Sequence, residues 1–247
     1  MEINRTAIKY NAKAAMSAAK PRNALLVSLL FYILAYLLNY LSISLNPYYD
    51  IIYSGYMTPE NFPAMAAQAF ANFTIVHALV IFALAIVSSI LLAGFRIYCL
   101  GISRYHPSEI GTIFDGFGIF FRFMALSIVQ GFFIFLWSLL FYIPGIIAAL
   151  RYSQAFYIMI DHPEYSIMEC IRESKRLMDG RKGEYFVLSL SFFGWILLGV
   201  IPFVGIWVTP YMEVTMCNYY NALLELDWKS RNPDFPASPP EEPGFHF

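Results

Sequence analysis

Charge is what this sequence has least of. Asp, Glu, Lys and Arg make up 13% of its 247 residues, about half the quarter usual in soluble proteins. Cysteine is also scarce. Cys99, Cys170 and Cys217 form no CxxC pair and no metal-ligand spacing, which excludes a disulfide scaffold and reads as buried free thiols. There is no HExxH, no GxSxG, no P-loop and no GxGxxG in a strand-to-helix context, so the corresponding chemistries lack an anchor. A net charge of -1 argues against a nucleic-acid partner. What is abundant instead is apolar: 59% of the chain is hydrophobic and 18% aromatic. One soluble core of this size does not hide so much apolar surface, and the chain reads as an integral membrane protein.

The apolar runs place the spans. Residues Ala24 to Leu45 carry no charge and are long enough to cross a hydrocarbon core of about 30 Å. This run exceeds a signal-peptide core and follows a basic N-terminus, so it reads as a first span. A second lies at about 72–97. The uncharged stretch from Phe123 to Leu150 is too long for one straight helix and contains Pro144-Gly145. Proline removes a backbone donor, so Tyr142 to Gly145 is expected to form a hairpin tip between spans at 118–142 and 144–160. The stretch from Tyr185 to Met212, interrupted at Ile201-Pro202, predicts spans at 185–201 and 203–224. With six spans, every connection carrying Lys or Arg falls on one side, and both termini are expected in the cytoplasm of a cell-membrane, multi-pass protein.

The expected fold is an all-helical six-span bundle built as three hairpins, each preceded by a short cytoplasmic amphipathic segment. Ile8, Ala12, Ala15, Met16 and Ala19 form one helical stripe, and Ile167, Cys170, Ile171, Ser174, Leu177 and Met178 another. Ser108 to Phe117 is the corresponding middle segment. Ser166 with Glu169 makes a capping box. Asp115-Gly116 and Asp179-Gly180 fit helix stops. The outside stretch from Asn46 to Ala71 reads as a loop whose Tyr48, Tyr49, Tyr53, Tyr56 and Phe62 suit the interfacial belt. Residues 1–231 form one membrane domain, and 232–247, rich in proline, a flexible cytoplasmic tail.

A few charges stand where lipid would not tolerate them alone. Arg96, Arg151 and Glu213 fall on the even-numbered spans, where an isolated charge costs at least about 3 kcal/mol. The expected arrangement pairs Glu213 with Arg151, or secondarily with Arg96. Snorkelling and a substrate, ion or lipid-headgroup site are the alternatives. His77 completes the candidate polar cluster as an interhelical hydrogen-bonding group. Asp161, His162 and Glu164 resemble a metal cluster, but Pro163 sets a loop there and no further ligand follows; no metal or cofactor is expected. Arg172, Lys175, Arg176, Arg181 and Lys182 are candidate contacts to anionic lipid at the inner leaflet, each adding about 1 kcal/mol.

The stretches IKYNAKAAM, LRYSQAFYIMIDHPEYS, SKRLMDGRKGEYF, LSFFGWILL and PYMEVTMCNYYNALL, in this order and spacing, resemble DUF975, an uncharacterised family of six-span membrane proteins found mostly in Firmicutes. The shared features fall on Arg151-Tyr152-Ser153, Asp161 with Pro163, Ser174 with Met178 and Gly180, Ser191-Phe192 with Gly194-Trp195, and Pro210-Tyr211 with Tyr220. The resemblance implies the topology and assigns no activity. The expected function is a non-enzymatic membrane component that binds lipid, a substrate or a membrane protein partner. A small transporter or export-related permease is the alternative.

Overall fold

The computed structural model describes residues 3–18, 21–45, 58, 60–72, 74–106, 110–198 and 202–232. Among these residues all regular structure is helical. The helices are α1 (Arg5–Ala18), α2 (Pro21–Ser44), α3 (Phe62–Asn72), α4 (Ile75–Ser103), a 3-10 helix (Ile110–Phe117), α5 (Phe120–Leu140), α6 (Tyr142–Tyr152), α7 (Ala155–Asp161), α8 (Ile167–Leu177), α9 (Lys182–Leu190), α10 (Phe193–Leu198) and α11 (Pro202–Arg231). Among the described residues, four stretches are long and apolar enough to cross a membrane: Leu26–Ser44, Ile75–Ser103, Phe120–Leu140 and Tyr142–Asp161.

Several boundaries differ from the sequence expectation, each for a local reason. The second hairpin turns at Phe141, whose backbone is extended (φ -161°, ψ 153°). Pro144 then sits in the first turn of α6, where a missing amide costs little because it would have no helical partner. Gly145 lets the return helix close up: a Cβ there would lie 2.0 Å from Ser138 Oγ. The expected fifth span is two short helices, α9 and α10, separated by a turn at Ser191-Phe192. The stretch expected as an outside loop contains α3, built from the strong helix formers of FPAMAAQAFAN. Ala19, Ser108, Tyr48, Tyr49, Tyr53, Tyr56, Ile201 and the tail at 233–247 lie outside the described residues.

The two amphipathic stripes bury their apolar faces, but against protein. Ile8, Ala12 and Ala15 of α1 are buried, and α1 packs on α11 and α4. Cys170, Ile171, Ser174, Leu177 and Met178 are buried on the α8 side of the bundle, with Ile167 packed at the edge of the core. The Ser166–Glu169 capping box forms in both directions, at 2.7 and 3.3 Å, and Gly180 follows with φ 73°, a left-handed conformation that favours glycine. The middle segment is different. It is a 3-10 helix pressed backbone to backbone on α4, where a Cβ on Gly94 would meet the Ile113 carbonyl oxygen at 1.7 Å, and one on Gly116 the Ile90 carbonyl oxygen at 2.2 Å. Asp115-Gly116 therefore serves close packing rather than a left-handed stop.

The core is concentrated at one end of the bundle. Along α4, no residue from Ile75 to Ser89 is buried. From Ile90 to Ser103 all are buried except Leu92, Arg96 and Gly101, which are half-buried. The exposed half is as apolar as the buried half, which suits lipid rather than water. Phe95 stacks on Phe31 of α2, ring centroids 4.4 Å apart, and Tyr157 on Tyr220 at 5.2 Å. α11 packs directly on α1, α2 and α4. Cys99, Cys170 and Cys217 are buried free thiols.

Candidate functional site

The site begins with a broken helix. Between α6 and α7 the chain makes a turn at Ser153-Gln154, which releases backbone groups that need partners away from water. Side chains from two other helices supply them. The Ser174 hydroxyl of α8 donates to the Arg151 carbonyl at 2.8 Å and accepts from the Gln154 amide at 3.2 Å. Gln130 of α5 donates to the Tyr152 carbonyl at 3.0 Å. One serine thus bridges the break, and it is fully buried. Ser153 and Gln154 keep right-handed helical dihedrals (φ -60°, ψ -28° and φ -89°, ψ -11°), so the interruption is a kink tied down by these bonds.

Beside this break lies a cavity of about 250 Å³. Arg96 of α4, Glu213 of α11, Gln130, Ser153, Tyr157 and Tyr185 supply its polar wall. Arg96 Nε stands 3.7 Å from Glu213 Oε2, and the two side chains retain 33% and 22% exposure. That separation is too long for a good hydrogen bond. Arg96 Nε has no hydrogen-bond partner among the described residues, and the guanidinium carbon lies 5.5 Å over the Phe156 ring. The pair is oriented by attraction rather than by a close hydrogen bond, and both side chains line the cavity while keeping part of their exposure.

A second ion pair nearby is built in the opposite manner. Arg104, just past the end of α4, grips Asp161 at the end of α7 through two hydrogen bonds of 2.7 Å. The exposures are 10% and 3%. Tyr220 of α11 donates to the same carboxylate at 2.8 Å. Arg104 Nε donates to Asn221 at 3.1 Å, and Asn221 donates to Ser103 Oγ at 3.1 Å. Burial opposes the Arg104 charge, but the bonds to Asp161 outweigh it and hold the guanidinium above its ordinary range. Three helices are locked by one satisfied network.

The structure brings together only part of the cluster expected from sequence. Glu213 faces Arg96, because α4 is the direct neighbour of α11. The expected pairing with Arg151 does not form. Arg151 makes no ion pair among the described residues, and its Nε is buried without a partner. His77 caps α4 at the far end, its Nδ1 2.7 Å from Thr74 Oγ1, and helix geometry puts it about 28 Å from Arg96. The apparent metal cluster separates: Asp161 enters the Arg104 network, and His162 turns to Glu164 at 3.0 Å and stacks on Tyr165.

The expected inner-leaflet cations are largely engaged within the protein. Arg176 holds Glu173 at 2.9 Å and Asp227 of α11 at 2.8 Å. These bonds from Arg176 keep the Asp227 carboxyl below its ordinary range. Lys182 reaches Asp179 at 3.3 Å, Arg181 lies 3.7 Å from Glu184, and Lys175 sits 5.6 Å over the Tyr152 ring. Arg172 is exposed. The Arg104–Asp161 pair was not foreseen as a pair. Its only trace in the sequence is an arginine just past the second expected span and an aspartate just past the fourth.

Residues 139–227 match the family model described as Protein of unknown function (DUF975), and the match supports assignment to that family. It takes in Asp161 and Glu213 but not Arg96 or Arg104, so each ion pair joins a residue inside the matched segment to one outside it. No curated protein and no solved structure matches the chain.

Proposed function

We propose that this DUF975-like chain is a non-enzymatic membrane component that binds a small polar ligand in the cavity between α4, α6, α9 and α11. The bilayer reading has six crossings, arranged as three hairpins in the cell membrane, with both termini cytoplasmic. It draws support from the apolar helices and from the one-sided distribution of Lys and Arg. One observation carries the binding reading: the Arg96–Glu213 pair is loose, partly exposed and on a cavity wall, while the same fold buries a second pair to 10% and 3% exposure. A fold able to close an ion pair leaves this one open.

Native mass spectrometry of the protein in nanodiscs tests this reading. Wild type should carry a specific adduct that Arg96→Gln/Glu213→Gln loses while remaining folded. An adduct unchanged in the double variant would place binding elsewhere.

A small transporter is the second reading, favoured by the helix break at the cavity. Discontinuous spans recur at transporter binding sites because unwound backbone can serve a ligand there. Uptake into proteoliposomes separates it from simple binding. Anionic lipid at the inner leaflet and a membrane protein partner remain part of the proposal, with Arg172 and Lys175 the basic side chains least occupied by acidic neighbours.

A further inference from the structure

We infer that the ligand of this cavity is a small zwitterion, its anionic group on Arg96 and its cationic group on Glu213; the inference rests on the binding reading above. Three features of the wall select that class. Among the described residues, Arg96 and Glu213 are the charged groups lining the cavity, so the wall is neutral overall and carries one charge of each sign. A ligand with a net charge would leave that charge uncompensated away from bulk water, whereas a zwitterion satisfies both groups and adds none.

The second feature is unused bonding capacity. At 3.7 Å the pair forms no close contact, and Arg96 Nε donates to nothing among the described residues. A guanidinium offers several donors in a fork that fits a carboxylate or phosphate, and an ionised carboxylate accepts from a primary ammonium and attracts a quaternary one by charge alone. Tyr157 and Tyr185 also line the cavity.

Size is the third. About 250 Å³ lies below the roughly 300–1,000 Å³ of pockets for drug-sized ligands, which suits a free amino acid or betaine, or the headgroup of a zwitterionic phospholipid but not the whole lipid. Both sources present the same chemistry, an anion and an ammonium a few bonds apart.

The test uses the full chain in nanodiscs, read by thermal unfolding and native mass spectrometry. Glycine betaine and L-alanine are compared at equal concentration with their single-charge counterparts, tetramethylammonium and acetate. Phosphatidylethanolamine discs are compared with phosphatidylglycerol discs. The expected result is an adduct and a rise in Tm with a zwitterion, at least tenfold stronger than with either single charge. Arg96→Gln and Glu213→Gln should each weaken it at least tenfold. The swap Arg96→Glu/Glu213→Arg, which keeps the neutral wall, should recover part of the loss. A response to betaine or alanine assigns an aqueous solute; a response to phosphatidylethanolamine assigns a lipid headgroup. An adduct that needs Arg96 and Glu213 but carries one sign of charge, or none, overturns the zwitterion and leaves the binding reading standing. No adduct and no shift with any probe overturns both.

Discussion

Arg104–Asp161 and Arg96–Glu213 each join the α4 region to a later part of the chain, yet they are finished differently. The first is bidentate at 2.7 Å, 10% and 3% exposed, with Tyr220 and Asn221 filling the remaining positions. The second stands at 3.7 Å with 33% and 22% exposure. A buried charge pair is tolerable when hydrogen bonds satisfy every lone pair and proton. Arg104 comes near that condition, donating through all three of its nitrogens, and acts as a lock. Arg96 does not, and the space beside it is a cavity. On the proposed reading, the ligand-binding charge is the one left incompletely satisfied on a cavity wall, not the most deeply buried one.

The strongest way to break this contrast is to remove one half of the lock. Asp161→Ala leaves Arg104 buried beside an unpaired Tyr220 hydroxyl, and should lower stability by about 3–5 kcal/mol, measured by denaturant or thermal unfolding in one detergent. Arg96→Gln should cost less in the same assay, because Arg96 makes no close bond to Glu213 and both side chains keep part of their exposure. If the two variants unfold alike, the distinction between lock and site is wrong.

Gly94→Ala probes the packing that fixes both pairs. Its Cβ would land on the Ile113 carbonyl, and overpacking of this kind costs about 1–3 kcal/mol. Binding should weaken with it, since α4 carries Arg96. Tyr220→Phe sharpens the comparison more finely. It deletes one donor to Asp161 and should cost about 1.5–3 kcal/mol if the lock is as satisfied as its geometry indicates, with ligand adducts unchanged.

The smallest effect concerns the exposed clamp between α8 and α11. The Asp227 carboxyl is held below its ordinary range by Arg176, so its folded pKa is depressed relative to the unfolded value of about 3.9. Its stabilisation is present above that value and is lost as pH falls through the lower folded pKa. Acidification should therefore loosen α8, seen as faster amide exchange around Arg176 below about pH 4, and Asp227→Asn should remove that part of the pH dependence.

Much of the helical layout was legible because it depends on local chemistry. Uncharged runs mark the apolar helices, and the 3.6-residue stripes of α1 and α8 predict which faces are buried. The Ser166–Glu169 cap follows from side-chain reach alone. What covers those faces was not legible. Hydropathy is the same whether a leucine meets lipid or protein, as the two halves of α4 show. The break at Ser153-Gln154 escaped for a related reason: Ser174 mends it from α8, and no residue at the break itself announces a partner so distant in sequence. Glu213 was recognisable as misplaced, but its partner depended on whether α4 or α6 lay beside α11.

The sequence by itself determined that this protein is helical and apolar, where its amphipathic faces lie, and which charges need an explanation. Those properties come from spacing along one chain and from the cost of charge away from water. Only the tertiary structure decided which arginine meets which carboxylate, and whether a pair is sealed or left facing a cavity. Partner choice depends on helix adjacency and on differences of an ångström in approach, and neither is encoded in the period of a single helix.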